Sequence, residues 1–484
     1  MTCCDLKCGL ITGTVLGALI AVLGGILIPV GNMFIENTVH HETVLENGTL
    51  AFDTWTSVDI AIYRQFWLFD VQNPDDVVGQ GAKPVLVQKG PYTYRTRFIP
   101  KKNITFNDNY TVSFVLPAGA IFEPSMSVGT EEDIFTSLNL AVAVCILTTI
   151  SCHPSLPFCG VYGLLGHKLA NWLIQRSNST LFQNRTVKEL LWGYKDPMLG
   201  SMLGVFYPYN DTIDGPYTVF TGKDDINKIS DVNLNKCNIS HINHIIQFCI
   251  HMLTDGSSFH PFLDKKEPLY FFSSDICRSI SAKFDRTVDL KGISVYRYLL
   301  PPEALASPVE NPDNQCYCTD PVLTKNCTTA GLLDLTACRG APVFLSLPHF
   351  LYGSNDLHQG VIGLNPNFDE HSIFLDVEPI TGFTLRFAKR LQLNMLYGPS
   401  DSILILNKIK DYTIFPILWV NETAVLDDET ADMFKKELIA RMELLEGFQI
   451  GLIVVGLILF ASCLIGLIVV CTKPNNNKFS LVVK

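Results

Sequence analysis

The sequence predicts an α+β fold: a single domain with a mainly antiparallel sheet, carried between two membrane-spanning helices. Three observations lead there. Short segments rich in β-branched and aromatic residues, bounded by Gly, Pro, Asn or Asp, recur through the middle of the chain. Helical periodicity appears between and after them, and each end of the chain carries a long stretch without charge. At 484 residues the chain could supply several average domains, but no internal repeat, low-complexity tract or Ser/Pro-rich linker divides its middle. A composition that is 48% hydrophobic and only 17% charged, against roughly a quarter charged in ordinary soluble domains, assigns part of the chain to lipid. The net charge of −11 and the lack of a basic stripe exclude nucleic acid as a partner, because such surfaces need clustered Lys and Arg to displace counterions.

The first element is the uncharged run Gly9–Val30, long enough to cross the ~30 Å hydrocarbon core as a helix. It reads as a retained span and not a cleaved signal, since Gly31-Asn32-Met33-Phe34 is a poor cleavage site. Within it Gly9, Gly13, Gly17, Ala21 and Gly25 form a small-residue stripe suited to close helix approach, by the second span or a second copy of the chain. The last element, Ile450–Cys471, is equally uncharged and precedes a short tail with Lys473, Lys478 and Lys484. Nine sequons lie between these spans, at Asn47, Asn103, Asn109, Asn178, Asn184, Asn210, Asn238, Asn326 and Asn421. They place the loop in the lumenal or extracellular space and both termini in the cytosol. The expected layout is a tail at 1–8, a span at 9–30, an extracellular domain at 31–449, a span at 450–471 and a tail at 472–484.

Between the spans, Tyr63–Val71, Lys83–Phe98, Tyr110–Leu116, Tyr217–Thr221 and Pro342–Leu347 read as strands. Helices are expected at Glu132–Val144, Lys168–Leu173, Val187–Trp192 and Asp427–Leu445, the last running almost directly into the second span. A third uncharged stretch, Ile134–Gly166, fails as a span. Its continuous apolar core is only Leu140–Ile150, and Pro154 and Pro157 break it, so it is expected to be buried or self-associating structure.

The cysteines sort into groups. Cys3, Cys4 and Cys8 flank the first span and Cys471 ends the second, which makes them candidates for S-acylation (palmitoylation), while Cys463 lies deep in its span. Cys249, Cys277, Cys316, Cys318, Cys327 and Cys338 are even in number and in an oxidising compartment, so disulfides are expected, with 15 pairings open. Cys145, Cys152, Cys159 and Cys237 find no assignment. No metal is expected, because Cys316-Tyr-Cys318 lacks the spacing of a zinc knuckle. No catalytic motif is found: there is no Gly-x-Ser-x-Gly, His-Glu-x-x-His, phosphate loop or Gly-x-Gly-x-x-Gly, and His241, His244 and His153 have no visible catalytic partners. Neither enzyme activity nor a cofactor is expected.

The blocks Tyr63–Pro74, Gly90-Pro91-Tyr92-Thr93-Tyr94-Arg95, Leu191-Trp192-Gly193-Tyr194, Ser274-Asp275-Ile276-Cys277-Arg278, Leu347-Pro348-His349-Phe350 and Glu378-Pro379-Ile380-Thr381-Gly382 resemble signature blocks of the class B scavenger receptor family. The similarity covers nearly the whole chain except about 141–175 and 198–203. Within the family, Ala306–Asn314 and the short tails with flanking cysteines resemble the platelet glycoprotein IV (fatty acid translocase) branch. The tail Thr472–Lys484 lacks the Leu-Ile ending of the lysosomal branch.

The resemblance implies an antiparallel β-barrel core threaded by a hydrophobic tunnel, with a helical apex. It implies long-chain fatty acids, oxidised and native lipoproteins and thrombospondin-type modules as partners at the plasma membrane. It selects the pairs Cys249–Cys316, Cys277–Cys338 and Cys318–Cys327. It also marks Phe271 and Phe272 as tunnel-lining, Arg339 as a usually basic position, and Arg176 as the remaining charge where relatives carry two lysines, the second position being Asn178. Cys145–Gly160 departs from the family. Two other function classes stand beside the lipid receptor: an adhesion receptor for thrombospondin-type modules that moves no lipid, and a carrier for a lysosomal enzyme.

Overall fold

A computed structural model describes residues 3–56, 61–97, 100–144, 159–207, 209–232, 254–273, 275–317, 327–336, 343–401 and 403–472, with the side chains of 3–5, 159–167 and 316–317 excepted. The chain divides into two units, one formed by its two ends and the other by Thr43–Asp427.

The first unit contains the helix Cys3–Thr43 and a helical run made of Asp428–Phe434, a π-helical turn at Lys435–Ile439, and Ala440–Thr472. Among the described residues two helices are long and apolar enough to cross a membrane. They pack antiparallel: Leu10 meets Gly466, Gly13 meets Cys463, Gly17 meets Phe460, Ala21 meets Gly456, and Gly24 meets Ile453. The expected stripe is right at Gly13, Gly17 and Ala21 and wrong at its ends, because Gly9 and Gly25 face open space. A spacing of four residues overshoots the 3.6-residue turn and drifts off the contact, which Gly24 and Gly31 restore with a step of three and then seven. At that end Gln449 Nε2 donates to Leu27 O at 2.9 Å and packs on Gly31.

The second unit is built on an 11-stranded sheet. Its main path runs Leu269–Ser273, Arg278–Leu290, Ile293–Leu299, Phe374–Val377, Thr384–Tyr397, Thr413–Val425, Ile62–Val71, Leu86–Arg97 and Ile121–Phe122, with every pair antiparallel. Leu333–Asp334 and Phe344–Ser346 add to one side through Thr384–Tyr397. Among the described residues the sheet does not close, since its outer strands Leu269–Ser273 and Ile121–Phe122 do not pair with each other. A three-stranded sheet (Lys102–Asn107, Thr111–Ala118, Thr212–Phe220) and two two-stranded pairs complete the β structure of the described residues.

The helix expected at Glu132–Val144 is a correction. Ile134–Leu138 is a strand paired with Phe182–Thr186, and helical backbone begins only at Leu140. Asn139 imposes the switch: its Oδ1 accepts from the Ala141 and Val142 N–H groups at 3.1 and 3.3 Å, as an N-cap does. Ala141, Val142 and Ala143 are then fully buried in the main core, while 145–158 lies outside the described residues. Lys168–Leu173 falls within a longer helix, Cys159–Ser177. Val187–Trp192 starts at a capping box between Thr186 and Glu189.

The quoted motifs are where distant strands lock. Gly90 has φ +153, and a β-carbon there would strike Phe66 O and the Trp67 ring, which stacks on Trp419 at 3.9 Å and 2°. Glu378 is buried and caps its own turn, accepting from the Ile380 and Thr381 N–H groups and from Thr381 Oγ1. His349 accepts from Asn365 N–H at Nδ1, so its proton is on Nε2 and is donated to Gln88 Oε1 at 2.6 Å, which also receives Trp419 Nε1–H. His371 stacks on His349 at 4.5 Å and accepts from Asn367 N–H. Burial pushes His349 down to about 3 and His371 down to about 4, so both are neutral in the fold.

Two outcomes follow. Gly17→Leu should separate the helix pair, because its side chain would enter the Phe460 backbone. In a Gly13→Cys background with Cys8 and Cys471 removed, disulfide crosslinking to Cys463 should fall sharply on adding Gly17→Leu, and unchanged crosslinking would refute this packing. For the histidines, the unfolded chain takes up protons below ~6.5 while the fold does not until about 3 to 4, so stability is full above pH 6.5 and is lost as pH falls. Each histidine should cost roughly 2 kcal/mol by pH 5, read as a falling unfolding temperature whose pH slope is reduced in His371→Gln.

Candidate functional site

The sheet pairs Leu391 with Val420 and Val420 with Phe66; one step along, Lys389 pairs with Glu422 and Glu422 with Arg64. Because side chains alternate across a strand, these six share one face. Following the register outward adds Phe387, Leu375, Tyr298, Phe284, Ile280 and Phe271 to that face. Phe271, Ile280, Tyr298, Leu375 and Leu391 are buried in one apolar cluster, and Val420 joins it to the main core. The result is a broad apolar field crossed by one row of charge.

Within the row, Arg64 Nε donates to Glu422 Oε2 at 2.5 Å, and Lys389 Nζ donates to Asp275 Oδ2 at 2.5 Å and lies 3.3 Å from Glu422 Oε1. Asp275 comes from the turn after Leu269–Ser273, beside Cys277. Burial works against all the strand charges, but their opposite partners prevail: Arg64 and Lys389 are held above their ordinary range and the Glu422 carboxyl below its own. Arg64 and Lys389 keep 27% and 23% of their side-chain surface, so the row opens to solvent and is not sealed in the core. Chemically, such a face can hold an alkyl chain on its apolar rows and a charged group at the central row.

The expected site residues do not converge. Phe271 is on this face, but Phe272 points to the other side, packed under Leu45, Trp55, Val112 and Phe114. Arg176 is exposed near the end of its helix, its guanidinium carbon 5.0 Å from the ring of the exposed Trp172. Arg339 lies outside the described residues. Cys277 and Cys327 are disulfide-bonded, while the side chains of Cys249, Cys316, Cys318 and Cys338 lie outside the described set. Cys8 and Cys471 are free and exposed, and Cys463 is free and half-buried against Gly13. Sequence reasoning missed the charged row. Its signal was an ionisable residue flanked two positions to either side by apolar ones on each of three strands, Arg64 between Ile62 and Phe66, Lys389 between Phe387 and Leu391, and Glu422 between Val420 and Ala424, which only the register brings together.

The model of the CD36 family matches residues 15–467. The chain belongs to the CD36 family. Among CD36-family relatives, "Scavenger receptor class B member 1" of Rattus norvegicus is 32% identical over 459 residues, covering 91% of this chain and 86% of its own. "Lysosome membrane protein 2" of Homo sapiens is 34% identical over 426 residues, covering 83% of this chain and 82% of its own. The CD36-family match takes in every strand of the sheet and most of both terminal helices.

The sequons differ in geometry. Asn47, Asn103, Asn109, Asn178 and Asn184 are exposed. Asn210 is half-buried, with Oδ1 accepting from Ala120 N–H, and Asn238 and Asn326 lie outside the described residues. Asn421 is half-buried in a strand paired on both sides, and its Nδ2, the atom a glycan would occupy, donates to Gln65 Oε1 at 3.0 Å. Glycopeptide mapping should find the five exposed sites occupied and Asn421 bare. A glycan on Asn421 in the folded protein would contradict this strand pairing.

Proposed function

We propose that this chain is a cell-surface scavenger receptor that binds long-chain fatty acids and lipoproteins and assists lipid uptake along the apolar face of its sheet. The observation that carries the reading is that face: a continuous apolar field holding a partly open charged row. A fatty acid exposes its chain to water at ~0.8 kcal/mol per methylene, so a dry path removes the main cost of transfer. The name of the relative in Rattus norvegicus supports a receptor in place of an enzyme. In this reading the sheet closes into a barrel around a tunnel, and Phe271 lines it. The ectodomain spans 31–449 outside the plasma membrane between spans at 9–30 and 450–471, with both tails cytosolic. The same reading carries the disulfides Cys249–Cys316, Cys277–Cys338 and Cys318–Cys327 and acylation of Cys3, Cys4, Cys8 or Cys471. Arg176 serves as an outer contact for anionic lipid particles.

Cells expressing the chain should take up a labelled long-chain fatty acid, and Phe271→Asp, at matched surface expression, should bring uptake close to background by placing a group that needs water on an apolar path. Unchanged uptake would remove Phe271 from the path. Adhesion to thrombospondin-type modules with no uptake by the unmodified chain would replace the lipid reading with the adhesion reading.

A further inference from the structure

The lipid reading says nothing of how the polar end of a ligand is held, and the charged row supplies an answer that rests on that reading. Arg64 uses its Nε–H on Glu422, and among the described residues its two terminal Nη groups make no hydrogen bond or ion pair. Lys389 is different, engaged by both Asp275 and Glu422. Asp275 and Asp214 lie close enough to act on Arg64 electrostatically without pairing to it, and Asp214 is exposed and occupied by Tyr217 Oη–H. The open side of Arg64 therefore presents parallel N–H donors beside Phe66 and Val420, one row away on the same face.

We propose that Arg64 receives the carboxylate of a single-chain fatty acid in a two-pronged hydrogen bond, with the alkyl chain lying along the apolar rows towards Leu391 and Phe271. Glu422 is a positioning residue: by holding Nε–H it fixes the guanidinium plane and turns the Nη groups outward. Arg64 and Lys389 together balance Glu422 and Asp275, so the row is electrically even without a ligand. Selection comes from the shape of the fork and not from net charge. A planar guanidinium matches a carboxylate in a way an ammonium cannot, and a charge-assisted bond of this kind is worth enough to give a preference of about tenfold or more over an uncharged head group.

The test uses the full chain in nanodiscs of zwitterionic lipid, with a diazirine-bearing 16-carbon fatty acid and the matching fatty alcohol as photolabels. The unmodified chain should label with the acid at about tenfold lower concentration than with the alcohol. Arg64→Gln with Glu422→Gln removes the pair without orphaning a carboxylate, and should bring the acid to the level of the alcohol while leaving the alcohol unchanged. Arg64→Lys should restore only part of the preference. A preference for the acid that survives the double substitution, or loss of acid and alcohol alike, would overturn the role of Arg64 and leave the apolar path standing. Failure of both labels on the unmodified chain would overturn the path itself and the proposal with it.

Discussion

The pairing of Ile62–Val71, Thr413–Val425 and Thr384–Tyr397 is the constraint on which the larger unit depends. A slip of one residue in either ladder would exchange the faces of every side chain it carries. Arg64, Glu422 and Lys389 would part, and Phe66, Val420 and Leu391 would leave their cluster. Trp67 and Trp419 hold this register from the other face by stacking, and Gly90, at an irregularity in the strand Leu86–Arg97, lies against Trp67. The network of Gln88, Trp419 and His349 adds bonds whose geometry admits one alignment of three segments distant in sequence.

The two faces divide the chemistry of the unit. One carries the apolar field with its charged row. The other carries stacked aromatics, neutral histidines and buried amides, including Gln392 and Asn394, which bond to each other and to Ser346. Buried polar groups so fully satisfied favour one arrangement over its alternatives, because any shift leaves an amide without a partner. The face proposed for lipid is supported from behind by a rigid layer.

Much of this was legible in the sequence. Strands such as Tyr63–Val71 announced themselves by composition and by their turn residues, and the two uncharged ends became the two apolar helices. In the third apolar stretch Phe135, Leu138 and Leu140 to Ala143 are buried, but its first five residues are a strand because Asn139 delays the helix. What could not be read were relations between distant residues. Arg64 and Glu422 are 358 positions apart, and no local pattern announces that they touch. Phe271 and Phe272 looked like one aromatic pair, yet a period of two sends them to opposite sides. The Gly stripe was visible, but its drift around the helix appeared only against a real partner.

The bond from Gln449 to Leu27 O has a consequence for how these helices can move. Gln449 is nearly fully buried, at the edge of an otherwise apolar contact. If one helix slid past the other by a turn, about 5.4 Å, that amide would leave the space that Gly31 gives it for want of a side chain and meet Leu27 or Ile35 there instead. The joint behaves as a keyed shaft. Piston-like sliding of one helix against the other is opposed, whereas tilting of the pair as a single rod leaves the key engaged.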